Sequence, residues 1–151
     1  MSILTPLQLP KAQLQLSSNA GRIYVQCLLR QKKIILTQEE WVRQHLIYYF
    51  QKTLNYPLEK MAIEKEIKFD GFIRRWDLVV YDSNFMPYIL VECKAPQIKL
   101  THEVFMQIST YQSKVQAPYL ILSNGIDHLI YQVDDLKKRL ERLDFFPPYM
   151  R

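Results

Sequence analysis

Glycine is scarce in this chain: Gly21, Gly71 and Gly125 are the only three among 151 residues, and they stand far apart. The Walker A loop and the dinucleotide fingerprint both need clustered glycines, so neither a P-loop motor nor a Rossmann cofactor site can be built from it. Histidine is equally sparse. His45, His102 and His128 form no HExxH or other zinc-ligand pair, so oxygen ligands must hold any metal. The two cysteines, Cys27 and Cys93, have neither metal-type spacing nor a secretory context, and the expectation is two reduced, mostly buried thiols in a cytoplasmic protein. No run reaches the roughly 18 apolar residues that span a bilayer, and Met1 to Pro10 has no charged segment followed by an apolar block, so no membrane role is expected.

What the chain does have is enough length for one core and a surplus of positive charge. A single domain over residues 1–151 is expected, with a core that needs no disulfides. Twenty Lys and Arg against 15 Asp and Glu give a net charge of +5, which favours anionic partners, nucleic acid first among them.

Residues 1–20 are rich in Pro, Gln and Ser and read as an arm that could add an edge strand. Two apolar patches, Ile23 to Leu29 and Ile34 to Leu36, flank the basic run Arg30-Gln-Lys-Lys33 and suggest a strand pair. Thr37-Gln-Glu-Glu40 is a capping box. Behind it Trp41, Val42, His45, Leu46, Tyr49 and Phe50 recur at helical spacing, which predicts a helix from Thr37 to Leu54 with its apolar stripe on a sheet. Met61 to Phe69 alternates as a strand, Asp70-Gly71 signals a hairpin, and strands over Phe72 to Tyr81 and Tyr88 to Ala95 complete a meander. A helix from Thr101 to about Lys114, a buried strand over Pro118 to Ser123, a last strand near His128 to Val133 and a charged helix from Asp134 to Leu143 follow. Antiparallel strands followed by a crossover helix imply an α/β fold, a mixed central sheet flanked by helices.

Two of these strands carry charge where a sheet interior is expected: Asp77 on the second, Glu92 and Lys94 on the third. Alternation puts Leu90, Glu92 and Lys94 on one face and Ile89, Val91, Cys93 and Ala95 on the other. The meander makes the strands neighbours, so Asp77 can approach Glu92. Two carboxylates pressed together repel, and one takes up a proton unless a cation lies between them. A hard divalent ion such as magnesium, held by one or two carboxylates plus water and phosphate, would resolve the conflict. Lys94 could then serve an attacking water and stabilise charge on a phosphate. The plainer alternative is a solvated Glu92–Lys94 pair on a half-exposed strand, with Asp77 a surface charge near the turn.

Asp77, fourteen intervening residues, then Glu92-Cys93-Lys94 resembles the PD-(D/E)XK nuclease signature, with Trp76-Asp77 in place of Pro-Asp. The stretches LTQEEWVRQHL, IRRWDLVVYD, ILVECKAP, FMQISTYQ and YLILSNG together resemble the N-terminal nuclease domain of type I restriction enzyme R subunits, over about Leu36 to Val133. The resemblance implies a restriction-endonuclease-like core over 36–133, preceded by the arm and followed by the 134–151 helix and tail. It implies a magnesium-dependent nuclease, manganese being a possible substitute, that hydrolyses phosphodiester bonds, most simply of DNA. Asp77, Glu92 and the Cys93 backbone carbonyl would hold metal, Lys94 would serve the water, and Glu40 would assist, with Glu39 its rival. Gln107 and Tyr111 match the family's Gln-x-x-x-Tyr motif and would organise the site or contact nucleic acid. Arg75 would contact phosphate, although a solvated strand end accounts for it as well. Within these 151 residues no translocase is expected, and the expectation is a stand-alone nuclease, as a homodimer or working with a partner restriction or motor subunit. A non-catalytic nucleic-acid-binding module of the same fold, and a small-molecule-binding α/β domain, remain alternatives.

Overall fold

The computed structural model describes residues 4–69, 71–109, 117–134 and 139–150. Strands β1 (Leu16–Asn19), β2 (Arg22–Gln26) and β3 (Lys33–Ile35) form a small antiparallel sheet of their own. Asn19 pairs with Arg22 across the two-residue turn Ala20-Gly21, where both φ angles are positive, as the tightest hairpin turns require. The arm therefore supplies an edge strand, but to this separate sheet.

Helix α1 (Gln38–Lys52) starts where the capping signal predicts: Thr37 Oγ1 accepts the Glu40 N–H at 3.0 Å. Val42, Leu46, Ile47 and Phe50 project from one side of it into a core shared with Leu78, Val80, Ile89, Val91, Ile121 and Ile130. A short 3-10 turn, Leu58–Lys60, leads into the main sheet. Its strands are β4 (Met61–Phe69), β5 (Phe72–Tyr81), β6 (Pro87–Cys93), β7 (Tyr119–Ser123), β8 (His128–Asp134) and β9 (Arg139–Leu143), which lie side by side in chain order. Every neighbouring pair is antiparallel except β6 and β7. A parallel pair cannot be joined by a tight turn, and the crossover carries helix α2 (His102–Ser109). On that side a second core gathers Trp76, Val79, Leu90, Phe105, Leu120 and Leu122, with Phe105 stacked on Tyr131 at 3.9 Å. The result is a mixed sheet between helices, the expected α/β class.

One element differs from expectation. Residues 139–143 are strand β9, paired antiparallel with β8 from Asp134↔Arg139 to Ile130↔Leu143, not the end of a charged helix. The Leu140 and Leu143 spacing suits a helix, but an open sheet edge at β8 offered a ladder of backbone hydrogen bonds that local propensity did not foresee.

Both ends of the described chain strap onto this body. Gln8 N–H donates to the Gly125 carbonyl at 2.8 Å and Trp41 Nε1–H to the Thr5 carbonyl at 2.8 Å, while Leu7 and Leu9 pack on the α1 core. At the other end the buried Tyr56 hydroxyl donates to the Pro147 carbonyl at 2.7 Å, and Phe146 meets Tyr49 and Phe50 edge-on. Among the described residues no helix is long and apolar enough to cross a membrane.

Candidate active site

The β4–β5 ladder pairs Ile63 with Leu78 and Lys65 with Trp76 but leaves out Glu64 and Asp77 between them. Ile63 and Leu78 pack on the α1 side of the sheet, whereas Ile67 and Trp76 pack on the α2 side. Both strands therefore turn over together at Glu64 and Asp77. Glu64 has φ of 51°, in the left-handed region that a residue with a Cβ adopts only at a cost. On the other flank of β5, pairing with β6 runs only as far as Leu78↔Val91, so Asp77 stands where the two strands part. Its Oδ2 fills the opening and accepts the Cys93 N–H at 2.7 Å.

Glu92 follows the predicted alternation, on the face opposite Val91 and Cys93, and its side chain is only 16% exposed. Its carboxyl is pushed up to about 7, first by burial and then by the neighbouring Asp77 carboxylate, against the pull of Arg74 and Lys94. Arg74 Nη2 reaches Glu92 Oε2 at 3.0 Å, and the Arg74 guanidinium lies over the Trp76 ring. A solvated Glu92–Lys94 surface pair is thus not what forms. The two carboxylates meet in a largely water-excluded place, with Lys94 close enough to act on Glu92.

Glu40 does not complete the capping box by returning to the Thr37 N–H. It turns inward, 7% exposed, where the Arg43 guanidinium grips both its oxygens and Gln44 Nε2 donates to Oε2 at 3.1 Å. Gln44 is fully buried. It also accepts the Leu28 N–H at 3.1 Å and donates to Cys27 Sγ at 3.3 Å, which fastens Glu40 to the segment after β2. Burial works against the Arg43 charge, but Glu40 above all, with Cys93 and Asp77, raises its pKa beyond the ordinary arginine value. Arg43 Nη1 lies 3.5 Å from the Asp77 carbonyl and 3.8 Å from Glu64 Oε1. Glu39, Glu40, Arg43, Glu64, Asp77 and Cys93 together line a cleft of about 250 Å³.

The fold therefore brings Asp77 and Glu92 together, with the Lys94 charge acting on Glu92, and sets Glu40 in one cleft with Asp77. Glu39 lines it too, and does not drop out as a rival. Cys93 contributes its N–H to Asp77, and burial pushes its thiol up, so that sulfur is a poor nucleophile. Arg75 is exposed on β5, whereas its neighbour Arg74 is the one that bonds Glu92. The Gln107 side chain and all of Tyr111 lie outside the described residues. Glu64, like Glu66 a β4 carboxylate that could either approach the site or lie on an exposed edge face, does line the cleft. Arg43 and Gln44 carry no such signal: a charged residue inside an amphipathic helix reads as solvated, and only the tertiary contacts turn Arg43 inward.

The donor set suits a hard cation. Asp77 and Glu92 supply carboxylate oxygens, and a cation between them would relieve the part of the upward push on Glu92 that comes, after burial, from the Asp77 charge. Among the described residues no three His, Cys, Asp or Glu side chains group as a ready-made cage, so such an ion would keep several waters. A family model described as type I restriction enzyme R protein N terminus matches residues 38–147, about three quarters of the chain. No curated protein matches.

Proposed function

Because this chain belongs to the type I restriction enzyme R protein N-terminus family, we propose that it is a metal-dependent nuclease with a restriction-endonuclease-like core that cleaves phosphodiester bonds of DNA. The observation that carries the reading is the meeting of Asp77 and Glu92 with Lys94 at the point where β5 and β6 part. A bound magnesium or manganese ion would neutralise the two carboxylates and supply Lewis-acid activation of water and phosphate. Asp77, oriented by the Cys93 N–H, and Glu92, oriented by Arg74, would hold that ion together with the Cys93 carbonyl. The Lys94 ammonium orients a water and stabilises negative charge growing on the phosphoryl oxygens. Arg43 holds Glu40 facing the cleft, and the basic surplus of the chain supplies sequence-independent attraction for the phosphate backbone. Two strands can be cut if the chain dimerises or joins a partner restriction or motor subunit.

A second reading, a nucleic-acid-binding module without turnover, is favoured by one fact: Glu40 and Glu92 each already hold an arginine. Plasmid nicking with magnesium or manganese, scored beside calorimetric metal binding, separates the two. Asp77→Asn and Lys94→Ala are expected to fold and bind DNA yet lose at least about 100-fold in cleavage rate. Metal binding should vanish only in Asp77→Asn. Cleavage unchanged in either variant rejects the mechanism, and DNA binding with no metal effect in any protein leaves the module.

A further inference from the structure

We propose that the mouth of the cleft is a subsite for one phosphodiester of a nucleic-acid backbone, built by Arg30, Arg43 and Arg75 and held closed in the free protein by the Glu64 carboxylate. The inference rests on the nucleic-acid reading above and deepens it. Guanidinium groups from three elements act on this one carboxylate. Arg30, from the segment between β2 and β3, donates to Glu64 Oε2 at 2.5 Å, and Arg43 of α1 turns Nη1 toward Oε1 at 3.8 Å. Arg75 of β5 is exposed and pairs with Glu66, two residues along β4 from Glu64, and its charge acts on Glu64 from the sheet side. Glu64 is held below the usual carboxylate range, by the Arg30 hydrogen bond first and by the charges of Arg43, Arg30 and Arg75 as well, with burial opposing them.

Arg43 is divided between two tasks. Nε and Nη2 grip Glu40, while Nη1 faces the cleft. A planar fork of this kind suits phosphate oxygens, and Arg30 and Arg75 offer the same chemistry from the rim. Arg30 is about one third exposed and Glu64 40% exposed, so their bond is the rim type that is worth little and gives way to a better-matched anion. Glu64 moreover occupies a left-handed backbone conformation, held at some cost, that projects a carboxylate into a cluster of positive charge. Removing it leaves three positive groups beside the Asp77 end of the cleft, where a backbone phosphate would lie within reach of Asp77.

The test is equilibrium binding of a short fluorescent DNA duplex in EDTA, where cleavage is silent, across a range of salt. Glu64→Gln is expected to bind about 3–10-fold tighter than wild type, with a salt slope steeper by about one phosphate contact. Arg30→Ala and Arg75→Ala should each bind several-fold weaker, and Glu64→Gln/Arg30→Ala should lose most of the gain. Circular dichroism verifies that each variant is folded. If wild type binds but Glu64→Gln binds no tighter, or binds more weakly, Glu64 is not a gate and the subsite is rejected while the nucleic-acid reading stands. If no form binds duplex at low salt, both fall.

Discussion

Glu92 holds the conflict that pH reads most directly. Its carboxyl, pushed up to about 7 by burial and by Asp77, is protonated in the metal-free native state at pH values where the unfolded chain has already released the proton. A carboxyl raised on folding adds stability that is complete below the unfolded pKa and is lost as pH rises through the folded one. The metal-free protein should therefore lose stability relative to Glu92→Gln between about pH 4.5 and pH 7, by on the order of 1–3 kcal/mol. Thermal denaturation of both proteins in EDTA across that range measures it, and parallel curves reject the juxtaposition. Saturating magnesium should flatten the difference, because the bound ion takes the place of the proton. Glu92 and Lys94 were legible in the sequence because strand alternation and a short meander leave few registers, and Asp77 through its spacing from them, since alternation breaks at its own position. Arg43 and Gln44 were not, because their roles depend on which way α1 lies on the sheet, and Glu64 could not be told from Glu66, because that choice depends on two strands turning over at one point.

At the scale of elements, helix α1 and the β4–β6 meander follow from local signals: a cap, a helical stripe, an Asp-Gly turn and alternating apolar residues. The β9 strand does not, since an edge is chosen by what lies beside it. The connection between β7 and β8 shows how tightly elements are tied near the site. Asn124 Oδ1 accepts the Ile126 and Asp127 N–H groups at 2.9 and 2.7 Å, and its Nδ2 donates to the Ile98 carbonyl at 2.8 Å. Gly125 has φ of 84°, and a Cβ there would come within 2.7 Å of Leu7 and 3.1 Å of Val42. Gly125→Ala should cost about 2 kcal/mol or more in chemical denaturation, from the backbone conformation and the displaced arm together. An effect below about 0.5 kcal/mol would mean that the arm does not pack there.

Over the whole molecule, the arm and the C-terminal segment lie across the same α1 core that backs the site. Tyr56 is the clasp of the C-terminal strap. Tyr56→Phe keeps the ring contacts with Phe50 and Tyr149 but leaves the buried Pro147 carbonyl without its donor. The expected loss is about 1–2 kcal/mol, with faster proteolytic cleavage near residue 147 and unchanged cleavage elsewhere. Equal protease resistance in both proteins rejects a closed strap.

The same clasp has a kinetic consequence. Because β4 to β9 neighbour one another in chain order, most of the sheet can assemble through contacts of short sequence separation, whereas Tyr56 and Pro147 are 91 residues apart. Such a distant contact is expected to close after the folding barrier has been crossed. The Tyr56→Phe substitution should then leave the refolding rate almost untouched and express its entire cost as accelerated unfolding.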